Sequence, residues 1–144
     1  MKIKSSAFAN HQPIPKKYTC EGSDTSPPLE FSDIPAGTKS LAIIVDDPDA
    51  PSGTFDHWIA WNISPTTGNL SEGVTLSFQG KNGFGKAHYG GPCPPPGAPH
   101  RYFFKLYALD TTLSLSNGIT KKELEKAMKG HILEKAELVG TYQR

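Results

Sequence analysis

Asp47, Asp49, His57, His100 and Tyr102 are the residues of this chain whose types and placing could do chemistry together. Asp47 and Asp49 follow an apolar run, Leu41 to Val45. His57 lies near the start of a second run, Phe55 to Ile63. His100 and Tyr102 open a third, Arg101 to Leu109. If the three runs are neighbouring strands, these groups gather at one end of a sheet. His100 and Tyr102 are two apart, so they share a face. That face continues through Phe104 and Leu106 as an apolar floor beneath a polar rim. A carboxylate close to an imidazole favours the charged ring. A charged His, a Tyr hydroxyl and nearby backbone N–H groups form a donor set for phosphate, sulfate or carboxylate. The carboxylates could accept from an ammonium head. The cluster therefore suits a phosphomonoester or a zwitterion better than a fatty chain.

Bland readings compete with this one. Asp before Pro, and Asp followed by Ala-Pro, is common turn chemistry. A lone His at a strand end is usually a hydrogen-bonded structural residue. Gly83-Phe84-Gly85-Lys86 is not a phosphate loop, because it lacks the Gly spacing and the Ser/Thr after Lys. No Ser or Cys stands beside a base as an activated nucleophile. Cys93 is the best candidate, without an evident positive activator. Two Asp and two His could hold a metal, but no Cys/His spacing marks a zinc site. The sequence thus favours a binding module over an enzyme, with no metal and no cofactor.

The elements that must position the cluster are strands. Leu41–Val45 is a short β-branched run stopped by Asp46-Asp47-Pro48, as a buried strand should be. Residues 55–63 and 101–109 read as strands, and residues 138–142 as a closing strand. Val74 to Phe78 alternates apolar and hydroxyl residues like a half-buried strand. Residues 2–8 fit an edge strand. One helix is predicted after Thr120, where Thr120 and Glu123 fit a capping box. Leu124, Ala127 and Met128 then share its inner face. The loops at 46–57 and 82–100 are stiffened by proline, which fixes φ and removes a donor. A stiff loop holding polar groups can present a preorganised site. The expected fold is mainly β: an antiparallel β-sandwich with one or two short peripheral helices, as a single domain over residues 1–144.

Composition narrows the partners. The net charge is +1, and the densest basic run, Lys121-Lys122, sits beside Glu123 and Glu125. That is a solvated helix face rather than a nucleic-acid surface. No stretch approaches the ~20 apolar residues of a membrane span. The N-terminus, Met1-Lys2-Ile3-Lys4-Ser5, lacks the apolar core of a signal peptide. These features predict a soluble cytoplasmic protein without stable membrane insertion. Cys20 and Cys93 are far apart and form no C-x-x-C motif. In a reducing compartment the default is two free thiols, with a disulfide as the alternative.

Four ordered blocks then coincide with a known family. Asp47-Pro48-Asp49-Ala50-Pro51, His57-Trp58-Ile59-Ala60-Trp61-Asn62, Gly91-Pro92-Cys93-Pro94-Pro95 and His100-Arg101-Tyr102 resemble the signature blocks of the phosphatidylethanolamine-binding proteins. Tyr18-Thr19-Cys20-Glu21-Gly22, Ser26-Pro27-Pro28-Leu29 and the stretch from His131 to Tyr142 resemble its microbial, Raf-kinase-inhibitor-like branch. The resemblance spans nearly the whole chain. It implies two sheets in a sandwich with a shallow pocket near one edge. By matching positions it places Asp47, Asp49, His57 and Tyr102 in that pocket, with His100, Gly91 and Pro92 as its second block. It implies a cis Ala50–Pro51 bond. Bacterial members are often dimers, so a homodimer is an implied assembly.

The chain departs from the animal members in its short 51–57 loop and in ending at Arg144 without an extended C-terminal helix. The short C-terminus favours a small, exposed anion site over a phospholipid site. The resulting expectation is a non-catalytic protein binding an anion or phosphorylated headgroup, such as phosphate or phosphoethanolamine. The alternative is a protein-interaction module that inhibits a serine protease or a kinase.

Overall fold

The computed structural model describes all 144 residues. In chain order the elements are β1 (Lys2–Lys4), β2 (Gln12–Pro13), β3 (Leu29–Ser32), β4 (Ser40–Asp47), β5 (Phe55–Ile63), β6 (Asn69–Leu70), β7 (His100–Leu109), α1 (Lys121–Met128) and β8 (Ile132–Tyr142). A short 3-10 turn covers Lys16–Tyr18. Five strands form one sheet in the order β2-β8-β7-β4-β5, and three form a second in the order β1-β3-β6. Every pairing is antiparallel except that of the two-residue β2 with β8. No helix is long and apolar enough to cross a membrane.

β4 explains the architecture. It is buried along its whole length, and successive side chains point to opposite faces. Leu41, Ile43 and Val45 enter a core between the sheets, with Trp58, Ala60, Phe104, Leu106 and Leu138. Ala42 and Ile44 enter a second core on the other face, with Ile59, Trp61, Leu109, Leu124 and Met128. A strand covered on both faces has no polar alternation to show, so its sequence is a continuous apolar run. α1 is the lid of that second core. Its capping box is formed as the sequence predicts: Thr120 Oγ1 accepts from Glu123 N–H, and the Glu123 carboxylate accepts from Thr120 N–H.

β4 ends on two acids that take opposite faces. Asp46 turns toward α1, where Lys105 Nζ lies 3.0 Å and Lys121 Nζ 3.3 Å from its Oδ2. Lys121 also reaches Asp56 Oδ1 at 2.7 Å. This half-buried network pins the first turn of the helix to the end of β4, the start of β5 and the middle of β7. Asp47 turns the other way.

Several elements depart from their predicted form. Residues 74–78 are not a strand. Gly73 has a positive φ of 69°, and Val74 N–H closes a turn onto Ser71 O. The chain then meets the edge of β5 only from Phe78 to Gly80, with a single bridge between Ala60 and Gln79. β1 stops at Lys4, short of the predicted 2–8. β8 starts at Ile132, six residues before the predicted 138, because it pairs along the whole of β7.

Cys20 and Cys93 are joined in a disulfide, with Cα atoms 5.4 Å apart. This overturns the default of free thiols. The sequence separation of 73 conceals that the two loops lie side by side. Cys20 N–H donates to Pro92 O at 3.1 Å, and Tyr89 O–H donates to Tyr18 O at 2.7 Å. Gly91 makes the approach possible, since a Cβ there would stand 2.2 Å from Tyr18 O and 2.5 Å from Asp24 Oδ1. Gly91→Ala therefore forces backbone apart. The expected loss is on the order of 1–3 kcal/mol in urea unfolding. An unchanged midpoint would show that the 18–24 loop can yield.

Candidate functional site

The polar cluster lies where β4, β5 and β7 end together. Asp47 is buried at the end of β4. Its Oδ2 is 2.7 Å from His100 Nδ1 at the start of β7. A carboxylate oxygen only accepts, so Nδ1 carries the proton and Nε2 is the free nitrogen of His100. Asp47 Oδ1 accepts from Asp49 N–H at 2.7 Å, a side-chain turn that closes the Asp-Pro-Asp corner. Asp49 faces outward and clamps Arg101. It accepts from Arg101 N–H at 3.0 Å, Nε at 2.9 Å and Nη2 at 2.8 Å. The hydrogen bond from the Arg101 side chain pulls the Asp49 carboxyl down to about 2.

His57 reaches the same site through a bulge. Val45 pairs with Trp58, whereas Asp46 pairs with Asp56, so His57 is an extra residue in β5. A bulge re-aims the side chains around it. Here Phe55, His57 and Tyr102 line the cavity while Asp56 turns back to Lys121. His57 is 3% exposed, and its Nδ1 lies 2.7 Å from Gly90 O. A carbonyl only accepts, so Nδ1 is the protonated nitrogen and Nε2 carries the lone pair. Burial pushes the ring's pKa below its ordinary value, against the pull of the Gly90 carbonyl and Asp47. The expectation of a charged His drawn by a carboxylate therefore does not hold for His57. Asp47 gives its hydrogen-bonding oxygen to His100, and desolvation dominates at His57.

Tyr102 completes the group. It is 1% exposed, and its hydroxyl is buried without a hydrogen-bond partner in the protein. Burial, followed by the nearby Asp47 and Asp49 carboxylates, raises its pKa well above that of a free phenol. The cavity it faces has about 120 Å³ and is lined by Asp47, Ala50, Pro51, Phe55, His57, Phe84, Cys93, Pro94, Pro95, His100 and Tyr102. A larger groove of about 590 Å³ runs beside the N-terminal strand, but it holds no comparable set of buried polar groups.

Of the predicted site residues, Asp47, His57, His100 and Tyr102 stand together on this lining. Asp49, Gly91 and Pro92 do not. Asp49 braces Arg101 from outside. Gly91 donates to Asp24 Oδ1 at 2.7 Å, and Pro92 accepts from Cys20. All three shape the walls from behind. The Ala50–Pro51 bond is trans, since the chain contains no cis peptide. Gly53 N–H closes a four-residue turn onto Ala50 O, which puts Pro51 second in that turn. A trans proline suits that position, whereas a cis proline belongs at the third.

Sequence reasoning missed the aromatic wall. Phe55 and Phe84 pack edge-on with centroids 4.8 Å apart. His57 touches Phe55 at 4.9 Å, Phe84 at 5.8 Å and Tyr102 at 5.2 Å. Phe84 is 47% exposed at the mouth. The available signal was glycine. A Cβ at Gly83 would strike the Phe55 ring at 2.5 Å, and one at Gly90 would strike Phe84 at 2.5 Å.

Comparison with known proteins agrees with the fold. The sequence profile of the family described as phosphatidylethanolamine-binding protein matches residues 4–143. A UPF0098 protein of Pyrococcus horikoshii is 55% identical, over 97% of this chain and 75% of its own length. A UPF0098 protein of Chlamydia trachomatis is 50% identical over 100% and 99%. A crystal structure described as a phosphatidylethanolamine-binding protein homologue from C. trachomatis superposes with a TM-score of 0.95. It is 50% identical and covers 99% of this chain and 97% of its own. The crystal structure of YbcL from E. coli, described as a new member of the mammalian family, gives 0.93 at 31% identity, with 99% and 98% covered.

Two titrations test the electrostatics. The folded-state pKa of Asp49 lies below the ~3.9 of an unfolded Asp. The stability that its pair contributes is therefore complete above about pH 4 and is lost as pH falls toward 2. Carbon NMR should place its carboxyl near 2, and Arg101→Ala should return it toward 4. The folded-state pKa of His57 is also depressed, so the stability of the neutral ring falls as pH drops below about 6.5. Nitrogen NMR at pH 7 should show a neutral ring protonated at Nδ1. A charged His57 at pH 7 would overturn the burial argument.

Proposed function

The chain belongs to the phosphatidylethanolamine-binding protein family, and from that premise we propose that it is a non-catalytic binding protein for a phosphate or a small phosphorylated headgroup. The observation that carries the reading is the Tyr102 hydroxyl, buried without a hydrogen-bond partner on a residue that lines the cavity. A buried donor left unpaired costs about 1–3 kcal/mol. A ligand that pairs with it recovers that loss.

The remaining groups favour a particular protonation state of ligand. Tyr102 O–H donates. His100 is fixed at Nδ1 by Asp47, which leaves Nε2 as its free nitrogen. Neutral His57 offers a lone pair at Nε2. A hydroxyl donor and an imidazole acceptor match a phosphate that keeps one P–O–H. The volume, about 120 Å³, is worth about four waters at ~30 Å³ each, enough for a phosphoryl group and too little for an acyl chain. The aromatic wall lowers the local polarity around these groups, which strengthens each of these bonds. Phosphoethanolamine would place its phosphate inside and its ammonium at the mouth, near the open face of Phe84.

The reading is one of binding. The one cysteine on the lining, Cys93, is held in the disulfide, and no serine lines the cavity.

Tyr102→Phe separates this proposal from a structural role. It removes the unpaired hydroxyl, so the free protein should be unchanged or stabilised by about 1 kcal/mol. Phosphate and phosphoethanolamine binding by calorimetry should weaken about tenfold, as loss of one well-placed hydrogen bond does. His57→Ala should also weaken both. Equal binding by wild type and both variants would place any phosphate site elsewhere.

A further inference from the structure

We propose that the Cys20–Cys93 disulfide is a redox latch, opened by a dithiol reductant, that holds one wall of the ligand pocket in place. The inference takes the pocket as the binding site argued above, but the latch can be tested apart from any ligand.

The wall is the segment Cys93 to Pro95, all three residues of which line the cavity. Pro94 is buried, but the segment has almost no hydrogen bonds to hold it. Pro94, Pro95 and Pro96 have no N–H to donate, and no backbone group from Cys93 to Pro96 makes a hydrogen bond within the protein. The nearest backbone anchors are Pro92 O, which accepts from Cys20 N–H, and Gly97, which bonds Arg144 O at 3.4 Å and Gln143 Nε2 at 2.7 Å. Between those anchors the covalent link to Cys20 is the fixed point. Proline limits the conformations of the free segment, so reduction would release it as a stiff flap rather than melt it.

The bond is also placed for attack. Cys20 and Cys93 are both exposed, unlike the structural bridges that cores protect. Arg144 Nη1 lies 3.5 Å from Cys93 Sγ, and Arg144 Nε stands 4.0 Å from the Glu21 carboxylate, which steadies the guanidinium. A cation beside one sulfur favours that sulfur as the departing thiolate. The exchange then has a direction. An incoming thiolate attacks Cys20 Sγ, the S–S bond breaks, and Cys93 leaves as a thiolate beside Arg144. A second thiolate of the reductant then displaces Cys20. The protein disulfide gains two electrons and two protons, and the dithiol becomes a disulfide.

The test uses the full chain, oxidised and then treated with dithiothreitol. Amide exchange read by mass spectrometry should rise about tenfold or more in residues 89–99 and 18–22 on reduction. Strands β4, β7 and β8 should keep their protection. Alkylation trapping of the mixed disulfide should find the reductant on Cys20 and label Cys93. Arg144→Ala should slow reduction a few-fold. A Cys20→Ser/Cys93→Ser variant should exchange like the reduced protein. Phosphate affinity should fall about tenfold in the reduced form.

Three results would overturn the latch: resistance of the folded protein to dithiothreitol, equal exchange in both forms, or global unfolding on reduction. Equal phosphate binding by both forms with local loosening would show that the flap is not a wall of the phosphate site. Phosphate binding by neither form would remove the ligand reading instead, and the exchange comparison alone would then decide the latch.

Discussion

The Asp47 carboxylate has two oxygens, and each fixes a different piece of the site. Oδ2 holds the His100 ring, which orients the first residue of β7 and leaves Nε2 as its free nitrogen. Oδ1 holds the Asp49 amide, which sets the corner from which Asp49 reaches back to clamp Arg101. A buried carboxylate without partners would be expelled or neutralised. Here the two partners satisfy it and at the same time tie the end of β4 to the start of β7. The neighbouring acid does the reverse task on the reverse face. Asp46 spends its charge on Lys105 and Lys121, so the helix lid is anchored by the residue next to the one that organises the pocket.

Opposite requirements meet in the cavity. Phe55, Phe84, His57 and Tyr102 pack as an aromatic cluster, which is good core chemistry. Yet the cluster leaves a hydroxyl unpaired and an imidazole neutral, both in an apolar setting. A core selected only for stability would place Phe at 102. A small protein with modest stability tolerates such a loss where binding recovers it. The bulge at His57 belongs to the same trade. It interrupts the β4–β5 ladder and in return brings the ring to the pocket while Asp56 stays on the lysine side.

Much of this was legible in the sequence for identifiable reasons. The Leu41–Val45 run of β4 is continuous and apolar because both faces are covered, the Phe55–Ile63 run is rich in aromatic and β-branched residues, and their ends are marked by Asp-Pro and Ser-Pro. The two-residue spacing of His100 and Tyr102 gives one face directly. The Thr120–Glu123 capping box is local and so was readable. What failed was non-local. Val74–Phe78 has strand periodicity, but a ladder needs a partner, and β5 offers its edge only near Gln79. The disulfide joins loops 73 residues apart, and no spacing rule brings them together. The charged histidine was expected because the strand ends gather carboxylates and imidazoles together. The fold gives the Asp47 carboxylate to His100, and burial decides the rest. The trans bond at Pro51 follows from turn position, which depends on where Gly53 closes the corner.

The glycines carry the part of the site that side-chain reasoning overlooks. Gly83 and Gly90 are the seats of the Phe55 and Phe84 rings, and Gly91 is the seat of the Tyr18 carbonyl. Each is defined by what a methyl group would displace, so none announces a role by its own chemistry. Together they set the two loops that close over the strand ends. Gly83 and Gly90 allow the aromatic wall to pack down on His57. Gly91 brings the 18–22 loop against the 91–95 loop, close enough for Cys20 to meet Cys93. The pocket's polar groups are thus held from below by strand pairing and two carboxylates. Its upper walls are held from behind by close backbone approach and one covalent bond. A change that spares every lining residue but adds bulk at Gly90 or Gly91 acts on the site through those walls.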